Sequence, residues 1–224
     1  MLPGHQPDYL TGLNGSNAVQ IALWERDRSE KGQFLEMSML ETLATLHQFT
    51  MEMETFEGVL RTRNGNQWQK KSSFASYGIT TLPSSDGYVC FGISTEDQWD
   101  RLCAMIGHEE LTTDPDFNSR EKRASKADYL DKLLIEWIDN RTRKEIFMET
   151  SEIWGLPTAP VLDISEVLKD PQFLHRNMFQ SYGPPTSTGP LFPNFPFTSE
   201  DLKFFLGTVP NLGAHTEDFL EQLR

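Results

Sequence analysis

The stretch from residue 76 to 107 constrains the fold most. Two runs rich in β-branched and aromatic residues, 76–81 and 87–93, flank Pro83-Ser84-Ser85-Asp86-Gly87. Asp-Gly between such runs signals a hairpin, because glycine adopts turn angles that other residues avoid. A helix follows over 96–106. Thr95 and Gln98 have capping-box spacing, Trp99, Leu102, Cys103 and Ile106 recur at helical steps, and Gly107 is a stop. A hairpin feeding an amphipathic helix is the beginning of an α/β unit.

The pattern continues downstream. Asp114-Pro115-Asp116-Phe117 reads as a turn. Tyr129, Leu130, Leu133, Leu134, Trp137 and Ile138 predict an amphipathic helix. Thr142 and Glu145 form a second capping box, opening a helix that runs to Trp154 before Gly155 and Pro157. Residues 160–162 read as a strand, with short helices at 165–168 and 171–176. The proline-rich run 183–196 resists regular structure and reads as an extended linker. A short helix over 215–223 ends the pattern.

Upstream, Leu10, Leu13, Asn17, Ile21 and Trp24 predict a helix over 8–28, interrupted in propensity by Gly12 and Gly15. Gly32 ends it, 33–37 reads as a short buried strand, and Leu40, Leu43, Leu46, Thr50 and Met53 predict one helix over 39–57. Met37, Met39, Met51 and Met53 interleave with leucines and read as core filling. Residues 61–78 form a polar loop with Arg61, Arg63, Lys70 and Lys71, the one basic patch of an acidic chain. Asp8, at the entrance of the first helix, has three readings: a cap, an ion-pair partner or a nucleophile.

A net charge of −13 excludes nucleic acid and anionic membrane surfaces as partners, since phosphate binding needs basic surface. It leaves room for an anionic substrate held by a few local cations or helix N-termini. No apolar run approaches the roughly 20 residues of a membrane span. The start has no signal-peptide pattern, so the expectation is a soluble cytoplasmic protein. Cys90 and Cys103 read as reduced thiols, and His5, His47, His108, His175 and His215 have no metal-ligand spacing, so no metal site is expected.

Six segments in order resemble the class III CoA-transferases. They are Pro7-Asp8-Tyr9-Leu10-Thr11-Gly12; Glu30-Lys31-Gly32-Gln33 running into Ser38-Met39-Leu40-Glu41; Ser84-Ser85-Asp86-Gly87-Tyr88-Val89 with Gln98-Trp99-Asp100-Arg101-Leu102-Cys103; Asp114-Pro115-Asp116-Phe117-Asn118; Gly155-Leu156-Pro157-Thr158-Ala159-Pro160-Val161 with Glu166-Val167-Leu168-Lys169-Asp170-Pro171-Gln172-Phe173; and Val209-Pro210-Asn211-Leu212-Gly213-Ala214-His215-Thr216. The resemblance implies an α/β fold: the end of a Rossmann-like large domain over 1–60, a small α/β domain with its preceding loop over 61–180, and a proline-rich strap with a terminal helix over 181–224. It implies that about 160 residues of the large domain would precede Asp8, supplying most CoA contacts and a share of the acyl pocket. The CoA-contacting residues of this chain are therefore unassigned.

The resemblance implies that Asp8 is the covalent nucleophile of an acyl-CoA:carboxylate CoA-transferase. CoA thioesters and carboxylic acids are its substrates, and no cofactor is tightly bound. It implies partnership as an interlocked homodimer or with the missing N-terminal half, and no activity of the chain alone. Two alternatives stay open: a 2-methylacyl-CoA racemase-like enzyme, for which Glu96 is the matching acid–base residue while His5 lies too close to Asp8 to serve as the histidine, and a non-catalytic subunit that only dimerises.

Overall fold

A computed structural model describes residues 4–69, 75–181, 189–201 and 209–223. The chain packs as two compact units, 1–160 and 161–224.

The first unit opens with α1 (Gln6–Ser29), which ends where Glu30 turns left-handed at φ 59° and donates its N–H to Arg26 O at 2.8 Å. None of its 24 residues is buried. Leu13, Ile21 and Trp24 are each at least 60% exposed, with Arg28 lying 4.7 Å from the Trp24 ring. The strand expected over 33–37 does not form, and Phe34 is 87% exposed. An isolated strand leaves its backbone groups unpaired, and no described strand pairs with it.

The single helix expected over 39–57 is two: α2 (Met39–Thr45), capped by Ser38, and α3 (Gln48–Glu57), closed by left-handed Gly58. The cause is local. The Thr42 and Thr45 hydroxyls donate back to Ser38 O and Thr42 O at 3.0 and 2.7 Å. Such back-bonding weakens a helix ladder, and the N–H groups of Leu46 and His47 reach only three residues back.

Beyond a turn at Gly65, β1 (Gln67–Gln69), β2 (Ser76–Ser84) and β3 (Gly87–Gly92) form an antiparallel sheet. The hairpin is as expected: Ser84 pairs with Gly87 across a two-residue turn, Ser85-Asp86. Asp86 Oδ1 ties this turn to a distant element, accepting the Arg143 backbone N–H at 2.7 Å. Strand β1 falls in a segment read as loop, and Lys70 and Lys71 lie outside the described residues.

Next come α4 (Glu96–Ile106) with both halves of the Thr95/Gln98 capping box, a 3-10 turn (Glu109–Thr112), α5 (Arg120–Ser125) and α6 (Ala127–Ile138). Helix α7 (Arg143–Phe147) carries the second capping box and widens into a π-helical segment (Met148–Ile153). Strand β4 (Thr158–Pro160) then adds to β3. The strand expected at 160–162 thus ends where it was to begin, since Pro160 has no N–H to continue a ladder.

The core lies between this sheet and its helices. Val89 and Phe91 on β3 are fully buried while Tyr88 is exposed, the period of two that pleating imposes. Leu102 and Cys103 of α4, Leu130 and Leu134 of α6, Ile146 and Leu156 close over them. Gly78 makes the closest approach. At φ +107° it lies so near Ile93 that a Cβ would sit 2.6 Å from the Ile93 Cβ.

The second unit holds α8 (Ile164–Val167), α9 (Pro171–His175), a ribbon of β5 (Phe179–Ser181) with β6 (Leu191–Pro193), and α10 (Thr216–Gln222). The stretch read as wholly extended therefore contains a strand, paired Phe179 to Pro193 and Ser181 to Leu191. Residues 183–188 of that stretch lie outside the described residues. Among the described residues, no helix is long and apolar enough to cross a membrane.

Candidate active site on helix α1

Asp8 is the third residue of α1, not its cap. His5 holds the cap position without a side-chain cap bond, and Pro7 precedes Asp8 where a missing N–H costs nothing. The Asp8 carboxylate is 63% exposed, with His5 Nδ1 3.8 Å from Oδ2. Among the described residues it accepts no hydrogen bond. Gly12 and Gly15 stand one and two turns further along the same helix face. A Cβ at Gly12 would meet nothing within 4 Å, and one at Gly15 only Met37 Sδ at 3.8 Å. The surface beside Asp8 is therefore bare backbone, at a propensity cost of about 1 kcal/mol per glycine against alanine.

Glu96 sits in a different setting. It opens α4, and Arg123 donates to both of its oxygens, Nη2 to Oε1 at 2.6 Å and Nη1 to Oε2 at 2.9 Å. Arg120 Nε stands 3.8 Å from Oε1. The Arg123 side chain is 5% exposed, and its guanidinium lies 4.8 Å from the Trp99 ring. Hydrogen bonds from Arg123 hold the Glu96 carboxyl below the usual range, with the Arg123 and Arg120 charges adding to them. A carboxylate gripped by a fork of two donors is an anchor, poorly suited to trading protons.

The sequence reading did not find the polar network beneath β1. Asp131 Oδ2 accepts from Gln67 Nε2 at 2.8 Å and Asn66 Nδ2 at 3.4 Å. Its Oδ1 and the Tyr77 hydroxyl are buried without a well-formed hydrogen bond. Burial first, and the Asp131 charge second, push the Tyr77 phenol far up. A signal was available: Asp131 interrupts the apolar stripe of Leu130, Leu134 and Ile138. Both cysteines are free thiols, Cys90 exposed and Cys103 buried. Burial, aided by Asp100, pushes the Cys103 thiol up to about 12, so it is no nucleophile.

The CoA-transferase family III model matches residues 3–216, and the chain belongs to that family. It is 26% identical, over its whole length, to the succinyl-CoA–L-malate CoA-transferase alpha subunit of Chloroflexus aurantiacus, of which it covers 52%. It is 27% identical over 165 residues, 74% of this chain, to the acetyl-CoA:oxalate CoA-transferase of Acetobacter aceti, covering 41% of it. A crystal structure of a CaiB/BaiF family protein from Brucella suis matches all of this chain with a TM-score of 0.77 and 25% identity, and 57% of that protein is covered. The chain spans about half the length of these relatives.

Proposed function

We infer that this chain carries the nucleophile of an acyl-CoA:carboxylate CoA-transferase, with Asp8 as that nucleophile. The observation behind the reading is an exposed carboxylate that accepts no hydrogen bond among the described residues and is flanked by bare glycine backbone, within a chain of this family. Asp8 attacks the donor thioester carbonyl, giving a mixed anhydride and CoA thiolate. The thiolate attacks the aspartyl carbonyl, releasing the donor carboxylate and leaving an aspartyl–CoA thioester. The acceptor carboxylate attacks that thioester and expels the thiolate, which takes the acyl group from the new anhydride and frees Asp8. Every bond broken is replaced, and the enzyme ends as a carboxylate again.

The reading includes cooperation with a further half of the fold, in the same or another polypeptide, and assembly as an interlocked dimer. The exposed apolar side chains of α1–α3 support it, since uncovered apolar surface on this scale marks an interface. Asp8 is tested in the assembled enzyme. Donor acyl-CoA is expected to leave a hydroxylamine-sensitive adduct on the Asp8 peptide, and Asp8→Asn to abolish both adduct and transfer. Near-normal transfer by Asp8→Asn would sink the assignment.

A further inference from the structure

Among the described residues, His5 is the side chain that meets the Asp8 carboxylate as an ion-pair partner, its Nδ1 3.8 Å from Oδ2. The local backbone explains the meeting. Gly4 turns the chain at φ +62°, and the His5 carbonyl accepts the Tyr9 N–H at 3.1 Å, which fixes His5 to the first turn of α1. A side chain at a helix cap ordinarily accepts from an N–H two or three residues on. Two residues on is Pro7, which has no N–H, and His5 makes no side-chain cap bond. Its ring is left for the side chain three residues on, which a helix start places beside the cap. That side chain is Asp8. An imidazole carries N–H at Nδ1 in one neutral tautomer and in the imidazolium, so Nδ1 can donate to Oδ2. The contact is about 1 Å longer than a hydrogen bond, and catalytic hydrogen bonds often tighten to that length only once substrate is bound.

We propose that His5 is a catalytic residue, the oxyanion donor for the steps that take place at the aspartyl carbon. The proposal rests on the Asp8 reading and deepens it. The two Asp8 oxygens have different fates. Oδ1, the oxygen not in contact with His5, bonds to the donor acyl carbon and leaves with the donor carboxylate. Oδ2 stays on Cγ as the carbonyl oxygen. When the CoA thiolate adds to Cγ, the C=O electron pair moves onto Oδ2. It returns when the tetrahedral centre collapses and the Cγ–Oδ1 bond breaks. The acceptor carboxylate adds to the thioester in the same way, and there the Cγ–S bond breaks. Both additions put negative charge on Oδ2, where a donor placed in advance assists most. In the first step, attack on the donor thioester, the charge develops on the donor's own oxygen, and His5 gives no help. His5 is too close to Asp8 for the remote acid–base histidine of a racemase. For a donor to Oδ2, that closeness is the requirement.

The test is rapid quenching of the assembled enzyme with donor acyl-CoA labelled either in the acyl group or in CoA. Acyl label on the Asp8 peptide reports the anhydride, and CoA label reports the thioester. His5→Ala is expected to form the acyl-labelled adduct as fast as wild type and the CoA-labelled adduct about tenfold or more slowly, so that the anhydride accumulates. His5→Asn, whose amide N–H stands near the place of Nδ1, is expected to restore most of the lost rate. The His5 ring is exposed, so neither change removes packing from the core. Normal formation of the CoA-labelled adduct in His5→Ala would overturn the proposal. So would equal slowing of both adducts, which would mean that the ring only shapes the start of α1, or a His5→Asn enzyme as slow as His5→Ala. Asp8→Asn is scored separately. Normal adducts on Asp8 in His5→Ala sink the His5 role alone, whereas near-normal transfer by Asp8→Asn sinks the nucleophile and this role with it.

Discussion

Replacing Glu96 by alanine removes the carboxylate that faces a nearly buried guanidinium. Two charge-assisted hydrogen bonds disappear, at 2.6 and 2.9 Å. Each such bond is worth about 1.5–3 kcal/mol when well shielded. Glu96 itself is 60% exposed, so water competes for it and the sum must be cut by about half or more. About 2 kcal/mol is left, which for a unit of this size lowers Tm by roughly 4–8 °C. The measurement is urea and thermal unfolding of wild type, Glu96→Ala, Arg123→Met and the double variant. Arg123→Met with Glu96→Ala should recover part of the loss, because no orphaned cation then remains buried. The pH dependence has a definite sign. The folded-state pKa of Glu96 is depressed, so its contribution is full above the unfolded value of about 4.3 and fades as pH falls through the folded one. Wild type and Glu96→Ala should therefore converge in acid. A loss under about 0.5 kcal/mol at neutral pH, or a constant gap down to pH 2, would refute the anchor role.

Gly78→Ala should destabilise the first unit by about 3 kcal/mol or more, read as a lower urea midpoint, since the new methyl meets Ile93 backbone and side chain at a positive φ. An unchanged midpoint would mean that the hairpin does not approach Ile93 so closely. Titrating the native chain with a thiol reagent at pH 8 should consume one equivalent, from exposed Cys90, and a second only on unfolding, because Cys103 is buried with its thiol pushed up to about 12. Two fast equivalents in the native state would place Cys103 outside the core.

Local grammar made the small α/β domain legible. The hairpin and both capping boxes formed where their spacing put them, because each is satisfied by neighbours a few residues away. The misses have a shared physics. Residues 33–37 have strand-like composition, but a strand is a relation between segments, and no described strand pairs with this one. The 39–57 helix split because two threonine hydroxyls compete with the ladder, a choice that an apolar stripe does not register. At the site, Asp8 could be singled out by motif, but its exposure and its bare helix face became visible only with the backbone in place. The grip of Arg123 on Glu96 spans 27 residues, and no periodicity reports such a pairing.

The ends of the four-stranded sheet bear on how copies of this chain meet. Its border strands, β1 and β4, are three residues each. The first changes register within its length, and the second stops at a proline. Borders so short and irregular offer a poor template for another strand. Growth of the sheet from molecule to molecule, the usual route from a β-rich domain to a fibril, is therefore blocked at both sides. In the dimer proposed above, contact between copies would fall to side chains such as those exposed on α1–α3, where the geometry of helix packing can limit it to a closed assembly.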